Sequence, residues 1–537
     1  MPAPTDLLIT NADLFTADST TPATANALAL KGNRIVFVGQ EADAADWRGP
    51  ATRVIDAAGR TLMPGFIDSH FHLLGGSLDL RGAQLGEVRD RDSLVAVVRE
   101  FADGHPDDPI LFGSGLRYAI AGASSYNRHI LDAIIPDRPV ILLAYDHHTA
   151  WANTKALTLA NLLKEGQVAG PNSEIVLGDD GLANGELREG GAYDPILDRI
   201  PLPDSSQKRA LLHQGLALAA RVGVTSVHNM DGDADQIAFY AALEDAGELT
   251  LRVYVPYSVR PDTSPEALAE ATTMKNDYQS EMVRGGAAKF FMDGVIESYT
   301  GLLVEEYADR PGNFGGALYS AEHFTHMATE CDRLGLQIFV HATGDGAVRR
   351  TLDGFEAAAR ANGKRDSRHR VEHIELVHPD DLPRFAELGV VASMQPLHCP
   401  SDSNGLDVWP RRVGPTRWGR SFGWQSLRET GARLAFGSDW PVVTQNPMMG
   451  IHAALNRQPW AEGLPHHRQT LADILAAYTH EAAFAEFQEG SKGQLRVGML
   501  ADIVLLSEDI FATPPEEIAR AHPVLTVCDG RIVYEAL

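Results

Sequence analysis

Short apolar runs that stop abruptly at ionisable residues recur through the middle of this 537-residue chain, separated by amphipathic stretches of helical period. Strands divided by helices cannot pair through tight turns; they lie parallel, and a parallel sheet needs helices over its faces. Eight runs fit that role: TLMPGFIDSH, PVILLAYD, GVTSVHNM, GAAKFFMDG, LGLQIFVHA, HRVEHIEL, LGVVASMQP and ARLAFGSD. The expected fold is α/β, a (β/α)₈ TIM-like barrel over residues 62–490. The stretches near 75–137 and 154–200 are too long for simple loops and are expected as insertions capping the barrel mouth.

The two ends of the chain follow another rule. Residues 1–61 carry short strand-like runs broken by turns, among them a hairpin at Lys31-Gly32-Asn33, and residues 491–537 repeat the pattern with a turn at Cys528-Asp529-Gly530-Arg531. Both ends are expected to join in one small β-sandwich domain.

Composition limits the function classes. A net charge of −26 disfavours nucleic acid and anionic membrane as partners, which leaves a small-molecule substrate and allows a homodimer. The opening MPAPTDLLITNADLF lacks the basic start and apolar run of a signal peptide, and no apolar segment reaches the about 18 residues of a membrane span, so a cytoplasmic location is expected. Cys331, Cys399 and Cys528 lie far apart with no C-x-x-C spacing and read as buried thiols.

Barrel enzymes carry their chemistry where the strands end. The first run ends Asp68-Ser69-His70-Phe71-His72, and in an extended chain i and i+2 share a face, so His70 and His72 can reach one metal. The fifth run ends at His341, the sixth at His373 and the eighth at Asp439. Packing alone does not explain ligand-type residues at four strand ends. The fourth run embeds Lys289 among apolar residues, where a bare ammonium is costly; a salt bridge to Asp293 or Glu297 would relieve it, and so would carbamylation into a carboxylate. His148 and Trp151 follow the second run and His398 the seventh, and all three are candidates for substrate contact. His466-His467 reads as a solvated pair in a polar loop.

PGFIDSHFH, the strand-end lysine, HATGDGA, RVEHIELV and GSDWP, in that order, resemble the amidohydrolase superfamily. Within it they are similar to amidohydrolase family 3, the subgroup that includes N-substituted formamide deformylases, and the segment Asp146 to Asn153 is similar to its D-G-H-x-x-W-x-N stretch. The resemblance implies a metal-dependent hydrolase of non-peptide C–N bonds. It implies one or two divalent ions per chain, zinc first, with His70 and His72 on one metal and His341 and His373 on a second. Lys289 would bridge the two as a carbamate, and Asp439 would bind metal while acting as general base, with His373 beside it as the other catalytic residue. His147 and Gly346 depart from the subgroup's usual residues, so an altered pocket wall is expected. The same metal site could instead cleave an ester or lactone or a C–C bond, and a ligand-binding protein without turnover would need the histidines but not Asp439.

Overall fold

The computed structural model describes residues 5–21, 24–120, 126–164, 170, 172–401 and 408–537. Residues 1–4 of the opening segment and 121–125, 165–169 and 171 of the expected insertions lie outside them. The chain begins with β1 (Leu7–Thr10), β2 (Asp13–Leu14), β3 (Ala27–Lys31), β4 (Arg34–Gly39), β5 (Arg53–Asp56) and β6 (Thr61–Pro64). It enters the barrel with β7 (Phe66–Phe71), then leaves it for β8 (Ala83–Gln84), β9 (Leu111–Leu116), β10 (Val140–Ala144), β11 (Thr149–Ala152), β12 (Glu174–Leu177) and β13 (Ala183–Arg188). It returns for β14 (Val224–Asn229), β15 (Arg252–Ser258), β16 (Val283–Phe291), β17 (Gln337–Ala342), β18 (Arg370–His373), β19 (Val391–Met394) and β20 (Arg433–Phe436), and closes with β21 (Ile503–Leu506), β22 (Pro523–Cys528) and β23 (Arg531–Glu535).

The barrel is an eight-stranded parallel sheet ordered β20-β19-β18-β17-β16-β15-β14-β7, and a parallel bridge between Phe71 and Trp440 draws its ends together. Alternation explains its two faces. Ala288, Phe290, Ile338, Val340, Val371, Ala392 and Met394 belong to the apolar core under the helices. The residues between them, Lys289, His341, Arg370, Glu372 and Ser393, are polar and still buried.

One expected strand is corrected. PVILLAYD forms β10, which pairs with β9 and β11 in a six-stranded sheet ordered β12-β13-β11-β10-β9-β8, outside the barrel. The barrel's third strand is β15, RVYVPYS. A short buried run looks the same in either sheet, and Pro256 counts against a central strand; the structure admits that proline where the pairing of β15 with β16 shifts register. The two long stretches flanking β10 thus meet on one sheet, with helices Arg91–Gly104 and Arg128–Ile134 contributing to the core on one side and Thr154–Leu159 and Gly190–Leu197 on the other.

At the ends, β4-β3-β1-β5 form one sheet and β2-β6-β21-β22-β23 another. Leu7, Ile9, Leu28 and Ile55 of the first pack with Leu62, Ile503, Leu505 and Leu525 of the second, which makes the sandwich. Asp529 and Gly530 take φ of 52° and 72° in the β22–β23 turn, and a Cβ on Gly530 would stand 2.0 Å from the Gly32 carbonyl oxygen in the β3–β4 turn, so the two hairpins touch there. Cys331 and Cys528 are buried, as expected of structural thiols, whereas Cys399 is half-buried. His467 corrects the reading of a solvated pair: it is buried against the Gly419 carbonyl at 3.1 Å, with only His466 exposed.

Arg252 on β15 forms a bidentate pair with Asp502, next to β21, at 2.6 and 2.8 Å, and both are buried. This pair ties barrel to sandwich. Asp502→Ala leaves the buried guanidinium with only the Asp529 carboxylate, 3.1 Å away, and is expected to destabilise the protein by about 3 kcal/mol in urea unfolding; a loss under about 1 kcal/mol would make the joint incidental.

Candidate metal centre

The mouth of the barrel collects the strand-end residues. His70 Nε2 lies 3.3 Å and His72 Nε2 3.2 Å from Asp439 Oδ1, while His373 Nδ1 is 3.9 Å from Asp439 Oδ2. Donor atoms of His70, His373 and Asp439 all fall within 4.8 Å of one another. The His341 ring sits 4.4 Å and the His70 ring 4.5 Å from that of His373; His341 turns its Nε2 to the Gly294 carbonyl at 3.1 Å and lies beside the three-residue group.

Backbone geometry turns these side chains inward. In a regular strand the consecutive residues Glu372 and His373 would face opposite ways; His373 takes φ 74°, so both reach the interior. Asp439, just past β20, takes φ 62°. Positive φ on residues other than glycine is costly and concentrates at functional sites. Gly437 meets a separate demand, since a Cβ there would stand 2.5 Å from the His70 backbone nitrogen. Asp68 completes the junction, accepting from the backbone N–H of His70 at 3.1 Å and of Ser438 at 2.9 Å.

The electrostatics suit a cation. Burial holds the imidazoles of His341 and His373 well below their ordinary range, so both are neutral and carry a free lone pair. Burial alone would raise the Asp439 carboxyl, but the neighbouring imidazoles of His70 and His72 hold it well below the usual carboxylate range. Both ring nitrogens of His373, Oδ1 of Asp439 and Nζ of Lys289 are buried without a hydrogen-bond partner among the described residues. Ligand-type atoms that crowd together and bond to nothing fit a divalent metal.

Lys289, 1% exposed, makes no ion pair with Asp293 or Glu297 among the described residues. Asp293 accepts instead from the backbone N–H groups of Leu302, Thr343 and Gly344, and Glu297 from the Tyr145 hydroxyl. The Lys289 amine lies 4.7 Å above the Phe291 ring, and burial pushes it down to about 8.

The cluster opens into a cavity of about 350 Å³. His148 lines it, with Nδ1 held 2.9 Å from Glu189, and so does His398, 3.8 Å from Asp439 and 3.6 Å from Glu375. Trp151 does not line it. At 2% exposed it packs against Tyr126 and Tyr118 in the core of the inserted sheet, because its strand presents that face to the helices, which corrects its expected place at the substrate. His147 lies on the cavity wall beside Asp79; Gly346 packs against Leu302 and Leu303 instead.

Sequence reasoning missed the support of His70. Glu372 accepts from His70 Nδ1 at 2.8 Å, which points Nε2 at Asp439, and Arg370 holds Glu372 at 2.9 Å. The signal was there: the alternation in RVEH puts both charges on one buried face. It also missed most of the cavity's carboxylates, which stand on loops with no periodic mark.

Comparison with known proteins agrees with this geometry. The family described as Amidohydrolase family matches residues 53–534. Protein LONG AFTER FAR-RED 3 of Arabidopsis thaliana is 31% identical, with 98% of this chain and 91% of that protein covered. The N-substituted formamide deformylase of Arthrobacter pascens is 25% identical over 99% of this chain and 98% of its own length. An uncharacterized metal-dependent hydrolase from Pyrococcus furiosus superposes with a TM-score of 0.71 at 27% identity, over 95% of this chain and 99% of that one.

Glu372→Gln keeps the shape but removes the charge that orients His70. It is expected to weaken divalent-metal binding about 10- to 100-fold, read by competition with a chelator. Unchanged affinity would show that His70 needs no such anchor.

Proposed function

The chain belongs to the amidohydrolase family, and on that premise we propose that it hydrolyses a non-peptide C–N bond of amide or formamide type in a small molecule. The observation that carries this reading is the set of buried, unpartnered ligand atoms of His373, Asp439 and Lys289 at the head of the cavity. His70, His72, His341, His373 and Asp439 would hold one or two divalent ions, with zinc suited to so many imidazoles. When bound, the cation lowers the pKa of water from 15.7 to about 7 and polarises a carbonyl.

Asp439 does the proton work. Its carboxylate is kept ionised in a buried setting, which equips it to take a proton from the attacking water and pass it to the departing nitrogen. His398, within 3.8 Å of Asp439 and tethered by Glu375, orients that carboxylate from the cavity side. His148, with Nδ1 engaged by Glu189, keeps Nε2 for a substrate oxygen. Lys289 enters this reading as a carbamate. A lone buried amine without a carboxylate partner is unfavourable, and a carbamate there would add an anionic ligand between the two histidine pairs. No helix among the described residues is long and apolar enough to cross a membrane.

Two substitutions test the roles. Asp439→Asn is expected to keep much of the metal by elemental analysis and lose on the order of 10²-fold or more in turnover of N-formyl and N-acyl amides; near-normal rates would make the carboxylate structural. Lys289→Ala is expected to abolish activity, with partial recovery on adding short carboxylic acids. No recovery would end the carbamate assignment.

A further inference from the structure

Beyond the metal ligands the cavity wall is acidic. Asp79, Asp146, Glu189, Asp231, Glu297 and Glu375 line it, and no lysine or arginine does among the described residues. The residues outside the description contain neither type. Four of the six carboxylates face an imidazole: Asp79 is 3.3 Å from His147, Glu189 2.9 Å from His148, Asp231 3.8 Å from His72 and Glu375 3.6 Å from His398.

Asp146 and Glu297 have no such partner. Each is only 8% exposed. Asp146 Oδ1 accepts from the His148 backbone N–H at 3.0 Å, but Oδ2 is buried and accepts from nothing among the described residues. Glu297 Oε1 takes one hydrogen bond, from the Tyr145 hydroxyl at 2.9 Å. The nearby guanidinium of Arg412 donates to the main-chain carbonyl of Glu297 at 3.1 Å and pairs with Asp309. The two side chains come from different parts of the fold, Asp146 from the loop after β10 and Glu297 from the loop after β16, and reach the same cavity. Burial, then repulsion from Glu375 and Asp146, pushes the Glu297 carboxyl well above its ordinary range.

Two buried carboxyls side by side do not both stay ionised at low cost, so one is held towards its neutral form unless a cation completes the pair. Among the described residues the positive charges nearest the pair are committed elsewhere, the His148 imidazole to Glu189 and the Arg412 guanidinium to Asp309 and the Glu297 main chain, whereas the occupant of the cavity can supply a cation to both carboxylates. We propose that Asp146 and Glu297 recognise an ammonium or amidinium group on the substrate. Resting on the hydrolytic reading above, this makes the enzyme selective for amides whose remainder is positively charged and unreceptive to anionic ones.

Two formamides of equal length test it, one ending in a primary ammonium and the other in a methyl group. Affinity is measured by calorimetry on the metal-loaded Asp439→Asn enzyme, and formate release on the metal-loaded native enzyme. The ammonium-ended probe is expected to bind at least about tenfold tighter, a ratio that one desolvated charge pair readily supplies. Adding Asp146→Asn and Glu297→Gln is expected to bring the ratio near one, and Asp146→Asn alone to lower it part of the way. A ratio of one or less before these changes, failure of the ammonium probe to bind, or a ratio that survives the double substitution overturns the proposal. Formate release from both probes without charge preference would leave the hydrolytic reading standing and end this one. Charge-selective binding without formate release would support the subsite and count against the hydrolysis.

Discussion

A single buried guanidinium connects the floor of the barrel to its mouth. Arg370 donates to His228 Nδ1 at 2.6 Å below and to Glu372 at 2.9 Å beside it, and Glu372 in turn fixes His70 at 2.8 Å. Beneath, His228 stands 3.1 Å and Lys492 2.6 Å from Glu486, so the column is anchored in the segment that leads to the C-terminal strands. Buried charges are tolerated when each is matched and hydrogen-bonded, and here every charge has its opposite within reach. Such a column holds His70, the first of the proposed metal ligands, in one orientation, because turning it would strand Glu372 and Arg370 in turn.

The mouth reverses that balance. There the carboxylates of Asp439, Asp146 and Glu297 outnumber the cations near them, and ligand atoms of His373 and Asp439 bond to nothing. A balanced floor under an unbalanced mouth localises the need for external positive charge, first at the metal centre and then farther along the cavity. The positive φ of His373 and Asp439 belongs to the same design. Residues that packing alone would turn away are held facing the cavity, at a cost that the surrounding barrel absorbs.

The inserted sheet gives the cavity its far wall. The barrel strands end at the candidate metal ligands; Tyr145, Asp146, His148 and Glu189 come from the insertion and line the same cavity, with Tyr145 bonded across to Glu297 at 2.9 Å. On the proposed function, the chemistry falls to the strand ends, and the substrate is met both by a barrel loop and by a unit grafted between the first and second barrel strands.

Read by itself, the chain disclosed whatever depends on local period. Alternation and i, i+2 spacing marked His70 with His72, because a strand directs its side chains by rule, and the ends of apolar runs marked His341, His373 and Asp439, although the backbone turns at His373 and Asp439 are what face those two inward. The paired hairpin turns disclosed that both ends build one small domain. What depends on partners distant in sequence stayed hidden. β10 and β15 are both short buried runs, and only the pairing of whole sheets decided which joined the barrel. Trp151 and His148 are neighbours in one motif, yet Trp151 lies within strand β11 and enters a core, whereas His148 sits in the bend before that strand and lines the cavity. Lys289 shows the limit most clearly: sequence proximity offered Asp293 and Glu297 as its partners, but tertiary structure bound those carboxylates to backbone amides and to Tyr145, leaving the buried amine without either. Strand period is a property of the chain, whereas charge balance is a property of the assembled interior, where groups from loops far apart in sequence meet without water to screen them.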